Sequence, residues 1–200
     1  MIICMYEIIC VTNRNLCKDD FLTRLSRISA LNPKAVILRE KDLAEDDYCA
    51  LAEKAADIRS KNNTALIMHT YYKEAQKLGC RNIHLPLHLL REMSDKDKKF
   101  FNVLGASCHS VNDAVEAETL GCTYIIAGHI FDTDCKKGLP GRGLDFLRDV
   151  CKRVKIPVYA IGGINDGNIR DILACGANGG CIMSSIMTAN DVGAVKLLTE

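Results

Sequence analysis

The chain has no tryptophan, only four prolines and no Cys-x-x-Cys pair. The missing pair excludes the commonest structural zinc signatures, which hold the ion through closely spaced cysteines. No apolar run reaches the roughly 18 residues that a bilayer-spanning helix needs. Charge of one sign is lacking too. Against 25 acidic residues stand 26 basic ones, a formal net charge of +1, so no global field recruits nucleic acid or a membrane surface. No basic helix or DNA-reading motif is present. The opening Met1-Ile2-Ile3-Cys4-Met5-Tyr6 has no basic stretch before its apolar residues and no small-residue cleavage site. It reads as a first strand rather than a secretory signal, in a cytoplasmic protein. No linker, low-complexity tract or charge block divides the chain, so residues 1–200 are expected to form a single domain.

Cysteine, by contrast, is abundant: eleven residues at irregular spacing. Most lie in apolar stretches, where a reduced thiol packs as a small hydrophobe. Cys135 is the exception, in a polar loop. No two histidines are spaced as metal ligands, and no metal site is expected.

The dominant pattern is alternation. Strands are expected at Ile2 to Val11, Ala35 to Leu38, Ala65 to Met68, Asn82 to Leu85, Phe101 to Gly105, Tyr124 to Ala127, Pro157 to Ile161 and Cys181 to Met183. Amphipathic helices follow them: around Phe21 to Ile28, Asp46 to Arg59, through Glu74 and Leu78, a weak piece near Leu89 to Glu92, Val111 to Leu120, Leu144 to Val154, Asn168 to Cys175, and a last one through Val195 and Leu198. The strands are continuous apolar runs, as parallel strands covered on both faces are. Eight such units in one domain favour a closed (β/α)8 TIM barrel over an open doubly wound sheet.

In such a barrel the chemistry sits in the loops after the strands. Arg39-Glu40-Lys41 follows the second strand and offers fixed positive charge to a carboxylate or phosphate, with Glu40 facing away or pairing with one of its neighbours. Ser107 and His109 follow the fifth. The longest loop, residues 128–143, begins with Gly128-His129 and carries Thr133 and Lys136. Its glycines and basic residues suit a segment that closes over an anion, and His129 has the pKa range for acid–base work near neutrality. Gly162-Gly163 after the seventh strand and Ser184-Ser185 after the eighth suit a phosphate, because glycine lets backbone approach closely and an adjacent helix start offers free N–H groups. His69, His84, His88 and His109 are weaker candidates.

These pieces together resemble the thiamine phosphate synthase/TenI family over nearly the whole chain. The matching segments are Leu38-Arg39-Glu40-Lys41, His84-Leu85, Ser107-x-His109-Ser110, Ala127-Gly128-x-Ile130-Phe131-x-Thr133-x-x-Lys136, Ala160-Ile161-Gly162-Gly163-Ile164 and Ser184. The resemblance implies the (β/α)8 barrel, a small phosphorylated thiazole substrate and a homodimer. Synthases of the family join a pyrimidine diphosphate to a thiazole phosphate with Mg2+. They carry Asn-Asp after the third strand, an Asp after the fourth and a Gln two residues before the Arg. Here those places read His69-Thr70, Leu87-His88-Leu89 and Ile37, and the synthase Gly-Pro reads Gly128-His129. Residues 128–143 are similar to the thiazole tautomerase (TenI) branch, which implies a cofactor-independent isomerase with His129 as acid–base, Gly163 and Ser184 on the phosphate, and Arg39 or Lys41 on a carboxylate. That branch often has His where Ile37 stands. Thiamine phosphate synthase remains the alternative, with Mg2+ as its only cofactor. A non-catalytic binder of thiamine phosphates is a further one.

Overall fold

The computed structural model describes residues 6–60, 64–133 and 138–195. Eight strands run β1 Glu7–Val11, β2 Ala35–Leu38, β3 Ala65–His69, β4 Asn82–Pro86, β5 Val103–Cys108, β6 Tyr124–Gly128, β7 Val158–Ile161 and β8 Gly179–Ile182. Each pairs in parallel with the next, and β8 closes on β1. The helices are α1 Phe21–Ala30, α2 Glu45–Ser60, α3 Tyr72–Lys77, α4 Leu87–Glu92, α5 Asp95–Phe100, α6 Val111–Thr119, α7 Gly143–Arg153, α8 Ile169–Ala174 and α9 Ser184–Thr188. The fold is the expected single (β/α)8 barrel. No described helix is long and apolar enough to cross a membrane.

Strand parity organises the core, since successive side chains face opposite sides. Ile8, Val36, Leu66, Ile83, Leu104 and Ile125 point outward into the layer shared with the helices. Ile9, Ile37, Ile67, Tyr124, Ile126 and Tyr159 point inward and fill the barrel. Continuous apolar strands therefore serve two cores at once. The described cysteines are free thiols, and burial pushes Cys10, Cys108 and Cys122 up to about 12, which suits inert packing groups.

Several expected boundaries move. The fifth strand begins at Val103, because Phe100 ends α5 and Phe101 is its C-cap. The polar helix α5 escapes a search for apolar periodicity. It is nucleated by Ser94, whose side chain accepts the Asp97 N–H. The eighth strand starts at Gly179, two residues early. These glycines belong to the ladder: a Cβ on Gly179 would lie 1.8 Å from the Glu7 carbonyl oxygen across the β1–β8 seam. After β8 come α9 and a 3-10 turn at Val192–Ala194, and Val195, expected in a last helix, is the extended C-cap of that turn. Leu198, Cys135, Lys136 and the first residues of the expected first strand lie outside the described residues.

Candidate active site

At the C-terminal mouth, inward parity continues β2 to Arg39, ends β3 at His69 and brings Ser107 to the rim from within β5 rather than from the loop after it. The platform beneath Arg39 is an ionic clasp. The buried Glu40 carboxylate accepts the Thr12 hydroxyl (2.6 Å), the Arg14 backbone N–H (2.9 and 3.1 Å) and the Arg14 guanidinium (3.3 Å). Thr12 Oγ1 in turn accepts the Arg39 N–H at 2.9 Å. Glu40 therefore faces away from Arg39 and Lys41, one of the two placements the sequence left open, and pairs with Thr12 and Arg14 just past the end of β1. Arg14 continues outward to Asp42 at 2.6 and 2.7 Å and holds that carboxyl well below the usual range. Among the described residues the Arg39 side chain forms no ion pair.

Two histidines lie below the mouth. His69 and His84 are buried, their rings stacked at 5.7 Å. Burial lowers both, His84 to about 3; Lys41 adds to this for each ring, and Arg39 for His69. They are neutral near pH 7 and add no charge of their own beside Arg39 and Lys41. Stability should consequently fall in mild acid. An unfolded imidazole takes its proton near pH 6.5, whereas the folded rings resist it down to about 3 for His84. The unfolded chain binds more protons in this window, so stability is full above about 6.5 and declines below it. The urea midpoint should be lower at pH 5 than at pH 7. Equal midpoints would mean that these rings are not held neutral.

The loops after β6 and β7 interlock. Ile130 N–H donates to Ile161 O (2.8 Å) and Phe131 N–H to Gly162 O (3.0 Å). Gly162 and Gly163 have φ of +102° and +69°, which favours glycine. A Cβ would also meet His129 Cβ at 2.5 Å from Gly162 and the Asp132 carbonyl at 2.8 Å from Gly163. The glycine pair thus has a packing reason for its identity. It does not abut a helix start, as expected from the sequence: α8 begins only at Ile169, and Asn165 and Asn168 donate to Gly163 O (3.1 and 2.9 Å). Ser184 and Ser185 open α9 beside β8. His129 is buried, with Nε2 3.2 Å from Leu139 O and Nδ1 without a partner among the described residues. Thr133 is half-buried.

Sequence reasoning missed what joins β4 to β6. His84 Nε2 lies 2.9 Å from Ser107 Oγ, and His84 Nδ1 lies 3.0 Å from the Tyr124 hydroxyl. Only strand register brings these groups together, because His84, Gly105 and Tyr124 are neighbours across three strands.

A family model described as Thiamine monophosphate synthase (TMP-TENI) matches residues 8–186. The chain belongs to this family of enzymes. Thiamine-phosphate synthases from Clostridium beijerinckii and Clostridium acetobutylicum are each 31% identical over 193 residues, covering 94% of this chain and 90% of the relative. The thiamine phosphate pyrophosphorylase structure from Pyrococcus furiosus shares the fold, with a TM-score of 0.81 at 24% identity over 98% of this chain and 96% of that one. These findings correct the tautomerase expectation. It rested on the loop 128–143 and on the departures at Ile37, His69-Thr70 and Leu87-His88-Leu89, whereas the whole-chain relatives are named as synthases. The reaction for which His129 was expected to be the acid–base falls with it.

Proposed function

We propose that the chain is a thiamine-phosphate synthase, a transferase that joins a pyrimidine diphosphate to a thiazole phosphate. The thiazole nitrogen forms the new bond to the pyrimidine methylene carbon as the C–O bond to the diphosphate breaks, and pyrophosphate leaves with the bonding electrons. The observation that carries this reading is the cationic mouth, with Arg39 and Lys41 above two neutral histidines. Fixed positive charge in a partly desolvated mouth stabilises the charge that gathers on a departing diphosphate.

In this reading Arg39 and Lys41 take the diphosphate and Ser107 lines its path. Gly162, Gly163, Ser184 and Ser185 hold the thiazole phosphate, with Thr133 and Lys136 contributing from the loop after β6. A homodimer in the cytoplasm completes it.

The Mg2+ that the family implies does not suit the residues present. Magnesium takes oxygen ligands in octahedral array. At the end of β3 stands a neutral imidazole, His69, whose Nδ1 contacts the Thr70 hydroxyl at 2.6 Å, and after β4 stand buried Leu87 and exposed His88. Among the described residues no three His, Cys, Asp or Glu side chains converge.

Incubating the protein with both substrates, with and without added Mg2+, should yield thiamine phosphate and pyrophosphate by phosphorus NMR. Arg39→Ala should slow this about 10–100-fold, the value of a lost hydrogen bond to a charged group. No product under either condition would overturn the reading.

A further inference from the structure

Residues 84, 105 and 124 sit side by side on the inner face of β4, β5 and β6. The middle position is glycine, and the Tyr124 ring occupies the space a side chain there would fill. A Cβ on Gly105 would lie 2.2 Å from Tyr124 Cζ and 2.5 Å from its hydroxyl oxygen. Across this gap the phenol reaches His84 Nδ1, while the other ring nitrogen reaches Ser107 one step up β5.

The proton arrangement follows from elementary accounting. Tyr124 is buried, and a buried O–H needs an acceptor. Among the described residues its hydroxyl has one hydrogen-bond partner, His84 Nδ1. Burial keeps the phenol protonated and the imidazole neutral, so one ring nitrogen carries one hydrogen. If Tyr124 donates to Nδ1, that hydrogen is on Nε2, and Nε2–H donates to Ser107 Oγ. The Ser107 hydrogen is then turned away from His84. Ser107 is half-buried at the mouth, where an anionic oxygen is the acceptor it would meet.

We propose that Tyr124 and His84 are positioning residues that commit Ser107 to donate its hydroxyl hydrogen to a phosphate or diphosphate oxygen at the mouth. This rests on the synthase reading for its ligand, but not for the direction of its hydrogen bonds. Such an arrangement favours acceptor-only ligand groups and disfavours donors at the same place.

Two measurements on the full chain test it. Long-range nitrogen–proton NMR of the wild type, without ligand, separates the protonated from the unprotonated ring nitrogen of His84. A proton on Nε2 is expected; a proton on Nδ1 would overturn the inference and leave the synthase reading intact. Pyrophosphate titration by calorimetry then compares wild type, Ser107→Ala, Tyr124→Phe and the double variant. Each single change should weaken binding about ten-fold, and the double variant should be no weaker than Ser107→Ala alone, because both act through one hydrogen. Additive losses would reduce Tyr124 to a packing residue and refute the proposal. If Tyr124→Phe does not fold, the wild-type spectrum still decides the direction. A wild type with Nε2 protonated that binds neither pyrophosphate nor thiazole phosphate would sink the synthase reading, and the ligand half of this inference with it.

Discussion

Glu40→Ala should lower stability by about 3 kcal/mol, because removing the buried carboxylate leaves the donors it gathers without an acceptor. For a chain of this length that corresponds to a fall of roughly 6–12 °C in Tm. The loss is not confined to one bond. Glu40 is 1% exposed and gathers the Thr12 hydroxyl, the Arg14 N–H and the Arg14 guanidinium. Asp42 still neutralises Arg14 in the variant, so the cost falls on the Thr12 hydroxyl and the Arg14 amide. Thr12 also anchors the Arg39 backbone, so pyrophosphate affinity should fall together with stability. Glu40→Gln keeps the shape and part of the accepting capacity and should cost less. A melt within about 2 °C of the wild type for Glu40→Ala would show that the clasp contributes little.

Gly105→Ala should cost a further class of energy, steric rather than ionic. The added methyl would sit 2.2–2.5 Å from three atoms of the Tyr124 phenol. The ring cannot retreat freely, since it lies between His84 (5.6 Å between centroids) and Tyr159 (5.9 Å, edge to face). Overpacking typically costs 1–3 kcal/mol, and the displaced phenol also loses its buried partner, for about 3 kcal/mol in all. Denaturant unfolding checks this. Combining Gly105→Ala with Tyr124→Val should cost less than the sum of the two, because the smaller side chain returns the space. Strict additivity would mean that the two positions do not compete for one volume.

These two variants mark where the sequence was readable. The barrel was legible because its signal is local: an apolar run such as Ala35 to Leu38 coincides with β2, and the polar residues after it fall at the mouth. Signals failed where a residue serves a neighbour distant in sequence. Gly179 and Gly180 read as a loop, yet they are strand positions stripped of side chains by the approach of β1 and of the helical layer. Gly105 and Ser107 interrupt the apolar run of β5, so the strand was ended too early. The contact between His84, Ser107 and Tyr124 had no sequence signature, since it depends on the register of three strands. The partners of Glu40 were not legible for the same reason, since Thr12 and Arg14 lie past the end of β1, distant in sequence. The loop 128–143 and a few departures at the mouth drew the activity toward one branch of the family, while similarity over 193 residues is to proteins named as synthases.

The closing of β8 onto β1 has a consequence for how the chain is made. Glu7 to Cys10 pair with Gly179 to Ile182, so the first strand of the barrel waits for the eighth. Until then Ile8, Ile9 and Cys10 border an open, apolar sheet edge, the kind of surface that recruits other chains. A ribosome stalled before β8 would hold a sheet with two sticky margins, and chaperone demand during translation should peak there and end as the final strand emerges.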